Sequence, residues 1–225
     1  MISNNEIKSL KSLKLKKYRL KHNHILIEGL RLVSESLTSN SKCKVLTLYI
    51  TTECINKSSF KALIESAKNK SIEIVEISNK ILKQITHTKN PQGICAKIEI
   101  AYNNFEIIKN DIKGNIVILD GIQDPGNLGT LLRTVAWFGI NNVFLSNNSV
   151  DIFNDKVLRS GMGAHFKIKN IICDKLEPII IYIKNLNYKI YSADLDGENI
   201  FQIKTPTKNW GLILGSESFG RNESL

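Results

Sequence analysis

Apolar positions recur at helical spacing from the start of the chain. Ile7, Leu10 and Leu13 follow the capping-box pattern Ser3-x-x-Glu6, which predicts a first helix over about residues 4–17 with basic outer faces. A short apolar stretch, His24-Ile-Leu-Ile, comes next. Leu30, Val33 and Leu37 then share one face of a helix within residues 28–37. The pattern now alternates: a strand at 45–50, a helix at 59–68, a strand at 72–77, a short helix at 79–85 and a strand at 93–100. This order of elements describes a compact α/β domain. Residues 101–114 lose the periodicity and carry the Asn and Gly of a connector, so a boundary is expected near residue 105.

A second alternation follows. A strand at 115–119 runs into the turn Asp120-Gly-Ile-Gln-Asp-Pro-Gly, then a helix from about Asn127 to Phe138, stopped by Gly139, and a strand at 142–145. A helix around 154–159 precedes the glycine-broken Ser160-Gly-Met-Gly, and a helix at 175–185 with strands at 188–193 and 211–214 completes the pattern. Strands separated by helix-length segments imply parallel pairing, with ligands gathering at the C-terminal strand ends. Three loops fall at that edge: 120–127, 194–199 and 215–221.

Composition narrows the function. With 225 residues and 42% hydrophobic content, the chain can bury one or two cores, which excludes disorder as the main state. The formal charge of +10 points to a polyanionic partner. All of the excess lies in residues 1–105, which hold 18 Lys and Arg against 8 Asp and Glu, while residues 106–225 hold 13 of each. A general compositional drift toward lysine would load both halves, so nucleic-acid contact is assigned to the first. The four cysteines are scattered and suggest neither zinc nor disulfides, and His22 with His24 lacks further ligands, so no metal is expected. The N-terminus has no signal-type apolar core, and the longest apolar run, Ile179 to Ile183, is too short to cross a bilayer. A cytoplasmic protein without membrane contact is the expectation.

Chemistry is sought in the loops. In DGIQDPGN, Pro125 fixes φ, Gly126 frees the backbone and Asn127 is placed as a helix cap. Arg133 sits four residues after Gly129, so its guanidinium is expected to lie back over a residue with no side chain and reach the ligand edge. The loop Leu214-Gly-Ser-Glu-Ser-Phe-Gly leaves a strand through small residues that let a ligand approach the backbone closely. It matches neither a Walker A loop nor G-x-G-x-x-G, so a nucleotide-dependent oxidoreductase gains no support, and no triad suggests acyl transfer.

Three segments together, LDGIQDPGNLGTLLRTVAWFG (119–139), VLRSGMGAHF (157–166) and LILGSESFG (212–220), resemble in order and spacing the successive motifs of the SpoU/TrmH family. These are RNA ribose 2′-O-methyltransferases of the SPOUT class. KKYRLKHNHILIEGLRLVSESL resembles the opening of the substrate-binding domain many members carry, similar to a small ribosomal-protein RNA-binding fold. The resemblance implies an N-terminal α/β RNA-binding domain over 1–105 and an α/β-knot methyltransferase domain with a parallel sheet over 106–225. It implies S-adenosylmethionine as cofactor without a metal, RNA as partner (rRNA rather than tRNA), and a homodimer. Asn127 and Arg133 match the first motif's catalytic pair, and Glu217 also falls among the catalytic positions. Ser192, Ala193, Leu214, Gly215, Ser216, Glu217 and Gly220 match cofactor-holding positions. RNA contact is expected from Lys14, Lys16, Lys17, Tyr18, Arg19, Arg31 and Arg159.

Two departures accompany the match. Residues 216–218 read Ser-Glu-Ser where the family has Asn-Glu-Gly, and the chain as read ends at Leu225, ahead of the family's third motif and the final helix that passes through the knot. A chain ending there is expected to lack half of the pocket and much of the dimer interface. The alternative reading is therefore an RNA-binding protein of the same family with impaired catalysis.

Overall fold

The structure, a computed structural model, describes residues 2–38, 43–194, 196–202 and 209–215. Its first half contains α1 (Asn4–Ser12), α2 (Lys16–His22), β1 (His24–Glu28), α3 (Leu30–Thr38), β2 (Lys44–Thr51), α4 (Thr52–Ile55), α5 (Ser58–Asn69), β3 (Glu73–Ile77), α6 (Asn79–Ile85) and β4 (Ile94–Glu99). The strands form one sheet in the order β1-β4-β2-β3, antiparallel except for the parallel β2–β3 pair. After α7 (Phe105–Ile108) come β5 (Ile116–Leu119), α8 (Pro125–Trp137), β6 (Asn142–Leu145), α9 (Asp155–Gly161), α10 (Ala164–Lys167), β7 (Asn170–Cys173), α11 (Leu176–Asn185), β8 (Lys189–Ser192) and β9 (Trp210–Leu214). These strands are parallel throughout, in the order β7-β6-β5-β9-β8.

The chain steps outward from β5 to β6 and β7, then crosses to the far side and returns through β8 to β9. The order therefore reverses beside β5, and a crevice opens at the C-terminal ends of β5 and β9. Helices cover both faces of this sheet, so β5 is buried on both, as the unbroken run Ile116-Val-Ile-Leu requires. Val117 and Leu119 pack with Leu128, Leu132, Val135 and Val157 on one side, while Ile116 and Ile118 pack with Phe105, Ile179 and Ile183 on the other. The first of these clusters continues into Ile25, Ile27 and Leu48 of the first half, so the two sheets share one apolar core. Among the described residues, no helix is long and apolar enough to cross a membrane.

Several details depart from the sequence reading. The helix expected over 4–17 is two, because the chain turns at residues 13–15 and restarts as α2. Ser3 caps α1 as expected, its Oγ accepting the Glu6 N–H at 3.1 Å, but the Glu6 carboxylate accepts from the Tyr49 hydroxyl at 2.5 Å. The four-residue strand β7, absent from the sequence reading, is held by pairing with β6.

Arg19 was expected to face RNA. Instead it is 7% exposed. Its guanidinium donates to the carbonyls of Leu13 and Lys14, both at 2.9 Å, and to Asp151 Oδ2 of the second half at 2.5 Å. The helix break at 13–15 is thus where this arginine ties the turn to the other half. Lys14 is likewise drawn inward: its Nζ donates to Gln84 O at 3.1 Å and Thr86 O at 2.6 Å, and burial pushes its pKa down.

Under the 150s loop, buried His165 bonds Ile152 O through Nε2 at 2.8 Å, and burial pushes its pKa down to about 4. The unfolded chain takes up this proton near pH 6.5. The neutral ring's contribution is therefore complete above that pH and is lost as pH falls toward 4, by about 3 kcal/mol in all. His24 and His87, also lowered mainly by burial, add losses of the same sign. The urea midpoint is expected to fall through this window, and His165→Gln to flatten the fall while lowering stability at neutral pH. An identical slope in the variant would refute it.

Candidate functional site

The turn after β5 is pinned from three sides. Asp120 N–H donates to Leu214 O at 2.9 Å, joining the ends of β5 and β9, while Gly121 and Ile122 donate to the hydroxyls of Ser146 and Ser149 at 2.8 and 3.2 Å. Gly121 adopts φ 65, a conformation that suits glycine. Pro125 then opens α8, and the residue capping it is Asp124, whose Oδ1 accepts the Asn127 N–H at 2.8 Å. Asn127, expected as the cap, is three positions too late and lies exposed in the first turn. The Asp-Pro pair at cap and first helical position was the signal that marks this start. That bond from Asn127 N–H is the largest cause holding the Asp124 carboxyl below its usual pKa, and Lys156 Nζ at 3.5 Å works in the same direction.

Gly129 has a different task from the one expected. It is buried against α9, and a Cβ there would stand 1.9 Å from Ser160 Oγ, 2.7 Å from Val157 O and 2.8 Å from Gly161 N. The bare surface of Gly129 is therefore filled by α9, and Arg133 does not lie over it. Arg133 is exposed instead and donates from Nη1 to the Met162 sulfur at 3.3 Å. Met162 holds φ 48 in the turn between α9 and α10, a contact with no sequence signal. Gly129→Ala is expected to force α8 and α9 apart at a cost of about 1–3 kcal/mol, readable as a lowered melting temperature. An unchanged melt would show that the helices part freely.

The register of β8, β9 and β5 brings the other predicted segments to the same edge: Leu119 pairs with Leu214, and Ile213 with Ser192. Ala193 N–H continues this pairing to Ile213 O at 3.1 Å. Ser192 and Ala193 line a cavity of about 740 Å³ along β8 and β9, with Tyr191, Asp194 and Leu212. Among the described residues, the buried Ser192 Oγ and Tyr191 hydroxyl have no hydrogen-bond partner. Buried polar atoms of this kind fit a polar ligand seated at the strand ends. Leu214 and Gly215 stand beside them, whereas Ser216, Glu217 and Gly220 lie outside the described residues.

Of the predicted RNA contacts, Lys16, Lys17 and Arg31 are exposed. Tyr18 is half-buried, with Lys17 Nζ 4.9 Å from its ring centroid and His22 stacked on it at 6.4 Å. Arg159, at the rim of the seam between the halves, donates to Asp155 at 2.5 Å.

Comparison with known proteins decides the family. Residues 114–225 match the model of the SpoU rRNA Methylase family, and residues 4–96 that of the MRM3-like substrate binding domain. The 23S rRNA (guanosine(2553)-2′-O)-methyltransferase RlmP of Bacillus subtilis is 31% identical over 222 residues, covering 99% of this chain and 83% of that protein. The chain belongs to the SpoU rRNA methylase family. Solved relatives share its architecture. A putative TrmH-family RNA methyltransferase from Porphyromonas gingivalis superposes with a TM-score of 0.81 at 30% identity, covering 100% of this chain and 84% of that one. An AdoMet-bound rRNA methyltransferase from Sinorhizobium meliloti gives 0.81 at 26%, covering 99% and 82%. The resemblance read from the three motifs is thus borne out, and residues 119–127 and 212–215 of those motifs lie at the crevice beside β5.

Proposed function

We propose that this chain transfers a methyl group from S-adenosylmethionine to a ribose 2′-hydroxyl of ribosomal RNA. The observation that carries the reading is the convergence, at the crevice beside β5, of the turn 120–127 and the strand ends 192–193 and 214–215, with Arg133 exposed on α8, the helix which that turn opens. The Bacillus relative named above acts on 23S rRNA by its name, and the Sinorhizobium relative was solved with AdoMet bound, which supports both substrate and cofactor.

The sulfonium supplies a methyl group with a neutral leaving group. The protein's part is to orient the hydroxyl in line and to steady the alkoxide as its proton leaves. A guanidinium does not give up a proton at ordinary pH, so Arg133 anchors the neighbouring phosphate and stabilises the developing negative charge. The proton departs through that phosphate or water. Asn127, exposed one helical stretch away, offers its amide to the same nucleotide. Ser192, Ala193, Leu214 and Gly215 hold the cofactor, with Ser216, Glu217 and Gly220 assigned to the same task from their motif alone.

Residues 1–105 carry the RNA and residues 106–225 the transfer, with Lys16, Lys17 and Tyr18 on the RNA face. A homodimer is part of the reading, supported by the adjacent Trp137 and Phe138 at the end of α8, 87% and 73% exposed, an apolar pair that a second copy would cover.

Isothermal titration with S-adenosylmethionine, followed by transfer of labelled methyl to a large-subunit rRNA transcript, tests the proposal. Saturable binding and label resistant to alkaline hydrolysis at one nucleotide are expected. Absence of cofactor binding would favour a protein that only binds RNA.

A further inference from the structure

Beyond the apolar core, the halves meet along a polar seam beside α9. Glu28 Oε2 accepts the His87 N–H at 3.1 Å, Arg159 Nη1 donates to Asp155 Oδ2 at 2.5 Å and stands 3.9 Å from Glu28 Oε1, and His87 Nδ1 stands 3.9 Å from Asp155. Over this seam opens a notch of about 200 Å³. Glu28, Arg31, Asn90 and Gln92 line it from the first half, and Arg159 and Met162 from the second. Its walls are built rather than loose. Gln92 Oε1 accepts the Leu30 N–H at 3.0 Å, and Gly29, at φ 95, leaves the room that the Gln92 side chain occupies.

Two features give the notch a chemistry. Arg31 is exposed, and no carboxylate of the described residues pairs with it, while Arg159 engages its acids through Nη1 and keeps the remaining donors of its fork. Of the acids beside it, Asp155 is paired with Arg159, and Glu28 accepts the His87 N–H through Oε2, while its buried Oε1, without a hydrogen-bond partner among the described residues, stands 3.9 Å from Arg159 Nη1. Met162 links the notch to Arg133 through its sulfur, so an anion held here is next to the residue placed at the reacting ribose.

Resting on the reading of the chain as an RNA methyltransferase, we infer that the notch holds a single backbone phosphate of the RNA, gripped from opposite halves by Arg31 and Arg159. Planar guanidinium forks suit a tetrahedral phosphate better than a point ammonium does. Because one arginine comes from each half, full grip requires the halves docked as they stand, which couples strand capture by the basic half to placement of the ribose at Arg133.

Binding of a large-subunit rRNA transcript by the full chain, measured between about 50 and 200 mM salt, tests this. Arg31→Ala and Arg159→Ala are each expected to weaken binding about tenfold. The double variant is expected to lose little more than either single one, with a salt slope shallower by about 0.7–0.9, the share of one phosphate. Arg31→Lys with Arg159→Lys keeps the charges and should restore the slope, which separates a lost contact from a misfolded chain. Multiplicative losses, a slope change worth two phosphates, or affinities like the parent's would overturn the inference. Methyl transfer by the parent chain, run alongside, distinguishes the two failures: active parent with unaffected variants sinks only the shared phosphate, whereas a parent that binds no RNA sinks the enzyme reading with it.

Discussion

Replacing Arg133 with alanine is expected to abolish methyl transfer while leaving S-adenosylmethionine binding close to that of the parent chain. The side chain is exposed, and among the described residues its hydrogen bond is to the Met162 sulfur, so its loss costs little stability. Its proposed work lies in the transition state, where negative charge grows on the ribose oxygen, and removal of such a donor lowers turnover by about a hundred- to a thousandfold. Calorimetry with the cofactor and single-turnover transfer of labelled methyl separate the two effects. Arg133→Lys keeps a charge but loses the fork, and should recover only part of the rate. Near-normal methylation by the alanine variant would remove Arg133 from the mechanism.

Arg19→Ala is expected to produce the largest loss of stability. The guanidinium satisfies two main-chain carbonyls at the α1–α2 turn and neutralises Asp151 across the domain seam. Removing one partner of a buried pair leaves an uncompensated charge and costs about 3–5 kcal/mol. The urea midpoint should fall accordingly. Arg19→Met with Asp151→Asn removes both charges while keeping an acceptor for the Phe153 N–H, which Asp151 Oδ1 now takes at 3.2 Å, and should regain much of the loss. Since this side chain never faces solvent, the salt dependence of RNA binding by the folded variant should equal the parent's. A steeper dependence on salt in the parent than in the variant would return Arg19 to the RNA surface.

These two arginines mark how far the sequence could be read. Both stand out as cations in suggestive segments, and of the two only Arg133 is exposed. The motif that holds Arg133 was legible because the spacing of that arginine from Asn127 and Gly129 is a property of neighbours along one helix, whereas its contact with Met162 was not. Even there, the reason for Gly129 was not legible: the contact that demands a glycine is made by Ser160 and Val157, some thirty residues later in the chain. Arg19 sits in a run of lysines, and nothing local distinguishes it, or Lys14, as a cation that turns inward. Strand β7 escaped for a related reason, since its extended state is set by pairing with β6, some thirty residues earlier in the chain.

The sequence by itself determined the α/β alternation, the parallel second sheet, the basic first half and the family, because those rest on periodicity, charge and motif spacing, which are properties of neighbours along the chain. Only the tertiary structure decided that the halves share one apolar core, that Arg19 and Lys14 are withdrawn from the basic face, and that Arg31 and Arg159 open on one notch beside Met162 and Arg133. The physical reason is common to all three. Burial and pairing depend on which residues distant in sequence arrive at the same place, and an ion pair or a close helix contact is favourable only once the partner has arrived to replace water.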